Sequence, residues 1–247
     1  MMKMMMTLIQ FELKQCAKQK RNIIIFIVIP ICFYIIAMIQ ATALPLKDFE
    51  QFRRNYLIHM AILSAISYVL ITLPQELALE RKMGWLKRLV NTEVTYLHYF
   101  ISKICKTLML SAFAILCLCI TGVIFGIHMT MLQWGMAFVM ILIGTLVLYP
   151  FAYGLASIQK LSRVTAYSNL IYVLLIILGG LWIPLDQLPK IVQIMAQWLP
   201  IMHIQNVVIF YLNTGEILWL SVVKIIIYCI ILLIIIRLFI RKVGDFS

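Results

Sequence analysis

The sequence predicts an all-α integral membrane protein, and three observations carry that reading. Of its 247 residues, 64% are hydrophobic and only 12% are charged, against about 45–50% and about 25% in an ordinary soluble domain. The apolar residues gather into runs of about 20, the length that crosses a bilayer as a helix. The basic residues cluster at the ends of those runs, where membrane topology places them. The net charge of +12 therefore reads as span-end charge and not as a nucleic-acid surface. No polar segment is long enough to fold separately in water.

The six cysteines include no CxxC pair. Cys32, Cys105, Cys117, Cys119 and Cys229 lie in or beside apolar runs, where a cysteine acts as a small packing residue. Neither a disulfide framework nor a metal site is expected.

In chain order, residues 1–21 form the first element. Lys3, Thr7, Gln10, Lys14, Lys18 and Arg21 recur every three or four residues, so a helix would gather them on one face. Apolar residues cover most of the rest. A basic amphipathic helix of this kind lies in the membrane interface; a plain charged extension is the other reading. Residues 22–42 are uncharged and make the first span, with Pro30 near its centre. Ala41-Thr42-Ala43 resembles a signal-cleavage site, but the apolar stretch exceeds the usual core of about 7–15 residues, and it is kept as a span.

Residues 44–55 read as a short polar loop before the second span, 56–74. A charged segment, 76–93, follows. The third span is 104–127, a tight turn covers 128–133, and the fourth span is 134–156. A basic loop leads to the fifth span, 164–183. The connector 184–215 is neither polar enough for a free loop nor continuous enough for a span. The sixth span is 216–236. The six spans make up one transmembrane domain, 22–247.

With the N-terminus in the cytosol, 16 of the 21 Lys and Arg fall inside and four fall outside: Lys47, Arg53, Arg54 and Lys190. Lys224 lies within the sixth span. That bias puts both termini in the cytosol of a multi-pass protein. Trp134, Trp182, Trp198 and Trp219 then map to the outer boundary, the zone indole rings favour. Lys224 would either serve a function in the membrane or snorkel to the near interface. Gly122 and Gly126 form a small-xxx-small step that permits close helix contact or is ordinary membrane-helix composition.

The segment 76–93 is built for water between stretches built for lipid. Leu79, Met83, Leu86 and Val90 recur at helical spacing, and Arg81, Trp85 and Arg88 share another face. Gly84 is a weak helix former, so the second span should project to about Lys82, break at Gly84, and restart over 85–91. Such a helix suits a groove on a partner protein; a solvated loop carrying span-end charge fits the spacing as well.

The run Glu80-Arg81-Lys82-Met83-Gly84-Trp85-Leu86-Lys87-Arg88-Leu89, leading to Tyr99-Phe100-Ile101-Ser102-Lys103, resembles the coupling-helix region of type-2 ATP-binding-cassette exporter permeases. Gly179-Gly180, Pro184-Leu185-Asp186-Gln187-Leu188-Pro189 and Pro200 resemble that family's outer connector, where short re-entrant helices precede the last span. Residues 1–21 resemble its elbow helix. One departure is Glu93, at about the place where the family often has a proline.

The resemblance implies a dimeric translocation pathway formed with a second permease chain, the same or a paralogue. It also implies cytosolic ATP-binding-cassette ATPase subunits that bind ATP and magnesium. Its coupling residues would be Glu80, Arg81, Gly84, Trp85, Leu86, Lys87, Arg88 and Leu89. Those of the connector would be Gly179, Gly180, Pro184, Leu188, Pro189 and Pro200.

This chain has no G-x-x-x-x-G-K-[ST], so it lacks the loop that cradles nucleotide phosphates, and no cofactor is expected of its own. His59, His98, His128 and His203 form no HExxH, and an intramembrane enzyme is disfavoured. The function expected is a permease subunit of an ATP-driven exporter in the cell membrane, moving a lipophilic or amphiphilic cargo such as a drug, a lipid or an amphipathic peptide. An ion-coupled secondary transporter and a non-transporting immunity or sensor protein are the alternatives.

Overall fold

The computed structural model describes Leu8, Glu12 and residues 20–41, 46–85, 96–183 and 185–243. Every regular element among these residues is helical. The helices are α1 (Lys20–Gln40), α2 (Leu46–Ser67), α3 (Leu73–Lys82), α4 (Tyr96–Ile124), α5 (Met131–Thr145), α6 (Tyr149–Ala156), α7 (Leu161–Leu178), α8 (Lys190–Ala196), α9 (Pro200–Thr214) and α10 (Trp219–Val243). Four stretches are long and apolar enough to cross a membrane: Phe49–Lys82, His98–Ile124, Met131–Ala156 and Leu161–Leu178. Two shorter apolar helices, Ile24–Gln40 and Trp219–Ile234, coincide with the first and sixth predicted spans.

The second predicted span is the pole of the bundle. In Phe49–Lys82, 83% of the apolar window is buried, against 17% in Leu161–Leu178. The first is enclosed by other helices and the second faces outward. Hydroxyl-to-carbonyl bonds tie neighbours to the pole: Ser64 donates to Phe26 of α1 at 2.6 Å, and Ser111 of α4 donates to Ala65 at 3.1 Å. In lipid, where apolar contact alone drives helices together weakly, such bonds fix neighbours in register.

The pole is not a uniform α-helix. A π turn spans Tyr68–Thr72, between α2 and α3. Pro74 explains it. A proline has no N–H to give the carbonyl four residues back, and its ring crowds that carbonyl. The wider turn makes room for it. Tyr68, Val69 and Leu70 are wholly buried there, and Tyr68 meets Phe26 edge-on at 5.4 Å.

Several expected boundaries move. Residues 46–55, read as part of a polar loop, are helical. Their charges have partners that a loop would not supply. Arg53 donates to the carbonyls of Phe125 at 2.9 Å and Gly126 at 2.7 Å and pairs with Glu50 at 2.8 Å. Arg54 donates to Asn213. The polar face is thus spent on closing the α4–α5 turn and holding α9. The third span begins at Tyr96, well before residue 104. The expected turn 128–133 gives its second half to α5, because Thr130 and Gln133 form a reciprocal capping box. The helix of the fifth predicted span, α7, ends at Leu178, and α1 continues on both sides of Pro30. The connector holds two helices, α8 and α9.

The two glycines of the small-xxx-small step differ. A Cβ on Gly122 would lie 2.5 Å from Leu57 and 2.9 Å from Trp134, so this position is a close helix contact. Gly126 has φ +73° with open space around it and ends the helix. We expect Gly122→Leu to destabilise the protein by about 1–3 kcal/mol through overpacking. Gly135→Ala, with nothing within 4 Å of the new methyl, should be neutral or stabilise by up to about 1 kcal/mol. Thermal unfolding of the detergent-purified variants checks both; equal midpoints would refute the close contact at Gly122.

Candidate coupling site

Helical spacing assembles the site. Glu76 and Glu80 are four apart on α3 and share a face, as do Tyr99, Lys103 and Lys106 on α4. The two helices bring these faces together, and Glu12 from the N-terminal segment closes the third side. The Lys103 ammonium lies 2.8 Å from Glu12 and 3.0 Å from Glu76, and it donates to Glu80 as well. The Lys106 ammonium lies 3.1 Å from Glu12 and also binds Glu76. Tyr99 donates its hydroxyl to Glu80, and its ring centroid stands 5.4 Å from the Lys103 ammonium.

These groups are out of water. Lys103 is 0% exposed, Lys106 and Glu12 1%, and Glu76 7%. Burying a lone ion costs several kcal/mol even after relaxation, and only close counter-charges with good geometry offset it. Here three carboxylates meet two ammonium groups. One unit of negative charge is left over, and the Tyr99 hydroxyl hydrogen-bonds the carboxylate that Lys106 does not reach. Glu12, Glu76 and Glu80 converge as ligands of a cation would. The two lysines occupy that role, so the cluster is a closed ion network and not a metal cradle.

The network has a definite place in the bundle. At the same end, Tyr153 of α6 packs edge-on against Phe100 at 4.9 Å, and Arg81 donates to the Ile158 carbonyl between α6 and α7. The charged segment emerges here too. The opposite end carries the α4–α5 turn and the α7–α8 connector, where Phe33 of α1 meets Trp182 at 5.1 Å.

Of the predicted coupling residues, Glu80 sits inside the network, and Arg81 is turned inward to Ile158. The helix ends at Lys82, and Gly84 takes φ +66°, a left-handed turn that favours glycine. Trp85 is half-buried against the apolar core. Leu86, Lys87, Arg88 and Leu89 lie outside the described residues, as do all of residues 1–21 of the predicted interfacial helix except Leu8, Glu12, Lys20 and Arg21.

In the connector, Gly179 ends α7 and its carbonyl accepts from the buried Gln205 at 2.7 Å, and Gly180 has φ +69°. Leu188 accepts from Gln193 at 2.8 Å. Pro189 and Pro200 start α8 and α9, where a missing N–H costs nothing. Pro184 lies outside the described residues.

Glu12, Glu76, Lys103 and Lys106 are the site residues that the sequence reading missed. Lys106 counted there only as span-end charge, and Lys103 as span-end charge and as the last residue of the run that resembles the coupling region. The available signal was Glu12 itself, an acidic residue between Phe11 and Leu13 in a basic segment of a chain with only nine acids.

Removing one ammonium strands buried carboxylates. Lys106→Met should cost about 3–5 kcal/mol, and pairing it with Glu76→Gln should recover part of that loss. A double-mutant cycle on thermal stability measures the coupling; additive losses would mean that the two side chains do not act as a pair.

No solved structure matches the chain. A protein of Bacillus subtilis (strain 168) named "Putative transport permease YvfS" is 24% identical over 233 residues, covering 94% of each chain. The family model described as "ABC-2 family transporter protein" matches residues 38–240, most of the chain and every helix from α2 to α9, and the protein accordingly belongs to the ABC-2 family of transporter proteins.

Proposed function

We propose that the chain is the membrane-spanning permease subunit of an ATP-driven exporter in the cell membrane. It has six spans with both termini in the cytosol, and a second permease chain completes the translocation pathway. Separate cytosolic ATP-binding-cassette subunits bind ATP and magnesium and hydrolyse the nucleotide. The observation that carries this reading is the buried Lys103–Lys106 network, whose Glu80 lies one turn before Gly84, where the charged segment leaves the bundle.

Membership of a transporter family supports the transport role. The network supports the mechanical one. Coupling between distant sites needs a packed element whose arrangement both sites bias. Closure of the ATPase presses on the segment around Trp85–Leu89. Glu76, Glu80 and Glu12 hold α3, α4 and the N-terminal segment together through Lys103 and Lys106, so the three move as one lever. Arg81 carries the same displacement to the α6–α7 loop. Arg88 and the apolar Leu86 and Leu89 seat the segment in the ATPase groove.

A lipophilic or amphiphilic cargo fits the opposite end. A cavity of about 460 Å³ there is lined by Phe33, Ile36, Phe52, Tyr56 and Trp182, aromatic and aliphatic side chains of the kind that bind apolar ligands.

The test begins with gentle purification from the native membrane. A P-loop ATPase should accompany the chain in stoichiometric amount. Trp85→Ala with Arg88→Ala should then lower transport-linked ATP hydrolysis about fivefold or more, the effect of losing an interface anchor, while assembly of the complex persists. Isolation of a stable chain without any ATPase would reject the exporter reading. Full coupling in the double variant would reject only the assignment of these two residues.

A further inference from the structure

At the end of the bundle opposite the ion network, a second cavity of about 380 Å³ opens between α9, α10 and the α8–α9 turn. It is lined by Gln197, Trp198, His203, Lys224, Ile227, Tyr228 and Ile231. Lys224 projects from α10 on an exposed apolar face that includes Val223, Ile226 and Ile227. Among the described residues, no carboxylate pairs with it. It stands about 7.5 Å along the helix from Trp219, five residues at the α-helical rise. With Trp198 and Trp219 both highly exposed, that depth is the boundary between headgroups and acyl chains.

The cavity's titratable lining is basic: Lys224 and His203. His203 is only 4% exposed, and neither ring nitrogen makes a hydrogen bond of ordinary geometry, although the Gln197 carbonyl lies close enough to act on the ring. The Tyr228 hydroxyl donates to the Trp198 carbonyl at 2.6 Å, and its ring stacks on His203 at 5.9 Å. The Lys224 ammonium and the buried His203 imidazole therefore line one space, with no acidic side chain on its lining. Ile227, Ile231 and the Trp198 ring continue it as an apolar wall.

From this juxtaposition we propose that the cavity is a binding site for the phosphate group of an anionic membrane phospholipid. Lys224 and His203 hold the phosphate oxygens, and the acyl chain lies along Ile227 and Ile231. A phosphate diester at this depth supplies the anion that an unpaired lysine facing lipid lacks. The proposal depends on the chain lying in a bilayer, not on its acting as an exporter.

The test uses the full-length chain in nanodiscs holding equal phosphatidylglycerol and phosphatidylcholine, with retained lipid counted by native mass spectrometry after extraction. Wild-type protein should retain phosphatidylglycerol preferentially. Lys224→Gln should lower that preference about fivefold, the effect of one basic residue at an anionic surface. Lys224→Arg should keep it, and so should Lys190→Gln, which alters an exposed lysine of the connector outside the cavity. Should Lys224→Gln fail to fold, Ile227→Trp, which fills the cavity without changing charge, carries the same expectation. No preference in the wild type, an undiminished preference in the cavity variant, or displacement of the lipid by inorganic phosphate alone would overturn the assignment.

Discussion

Two ammonium groups held by three carboxylates, shut away from water, set the terms for the rest of this molecule. Lys103 and Lys106 sit within a helix that is otherwise apolar enough to cross a bilayer. Each would be intolerable there alone. Their partners come from two other parts of the chain, 27 residues away at Glu76 and 94 away at Glu12. The network therefore fixes where the N-terminal segment lies and how α3 meets α4. A buried ion pair is weak evidence for net stability, since well-packed apolar residues often do as well. It is better evidence for a specified arrangement, because only one juxtaposition of the three segments satisfies all five charges.

That specificity suits the lever role proposed for this part. Apolar contacts between membrane helices let them slide, since lipid tails are as good a neighbour as leucine. Charges in a dry pocket do not slide, because each step out of register leaves one of them unpaired. The network sits beside the exit of the charged segment, and the opposite end of the bundle holds both cavities. Arg53 and Arg54 clamp that opposite end through backbone carbonyls and Asn213. The two ends are thus fastened by different chemistry: a buried ion network at one, and at the other arginine donors on backbone carbonyls and an amide, with a single partly exposed Arg53–Glu50 pair beside them.

Much of this was legible in the sequence, for reasons that can be named. Apolar runs of span length gave helices, because in lipid every backbone group must be satisfied within its own segment. The stop at Lys82 and the turn at Gly84 were legible because a run of charge meets a residue that tolerates left-handed backbone. The helix over residues 46–55 was not. Its polar composition looks like a loop, and only the positions of Phe125, Gly126 and Asn213 show that its arginines are engaged. The ion network was hidden for the same reason. A lysine at a span end looks alike whether it faces cytosol or a carboxylate from the far side of the chain. Gly122 and Gly126 look identical in sequence, and only the neighbours Leu57 and Trp134 separate the packed one from the terminator.

The π turn at Tyr68–Thr72 has a consequence for phase. An extra residue accommodated in one turn rotates everything beyond it by about 100° relative to an uninterrupted α-helix. The faces of α2 and α3 are therefore not continuous, although both belong to one pole. Glu76 and Glu80 point at Lys103 and Lys106 because of that offset. Loss of a single residue from the turn would swing both carboxylates away around the helix axis, with no change to either acid or either base. The reading frame of the pole, and not its charge content alone, is what brings the five ions together.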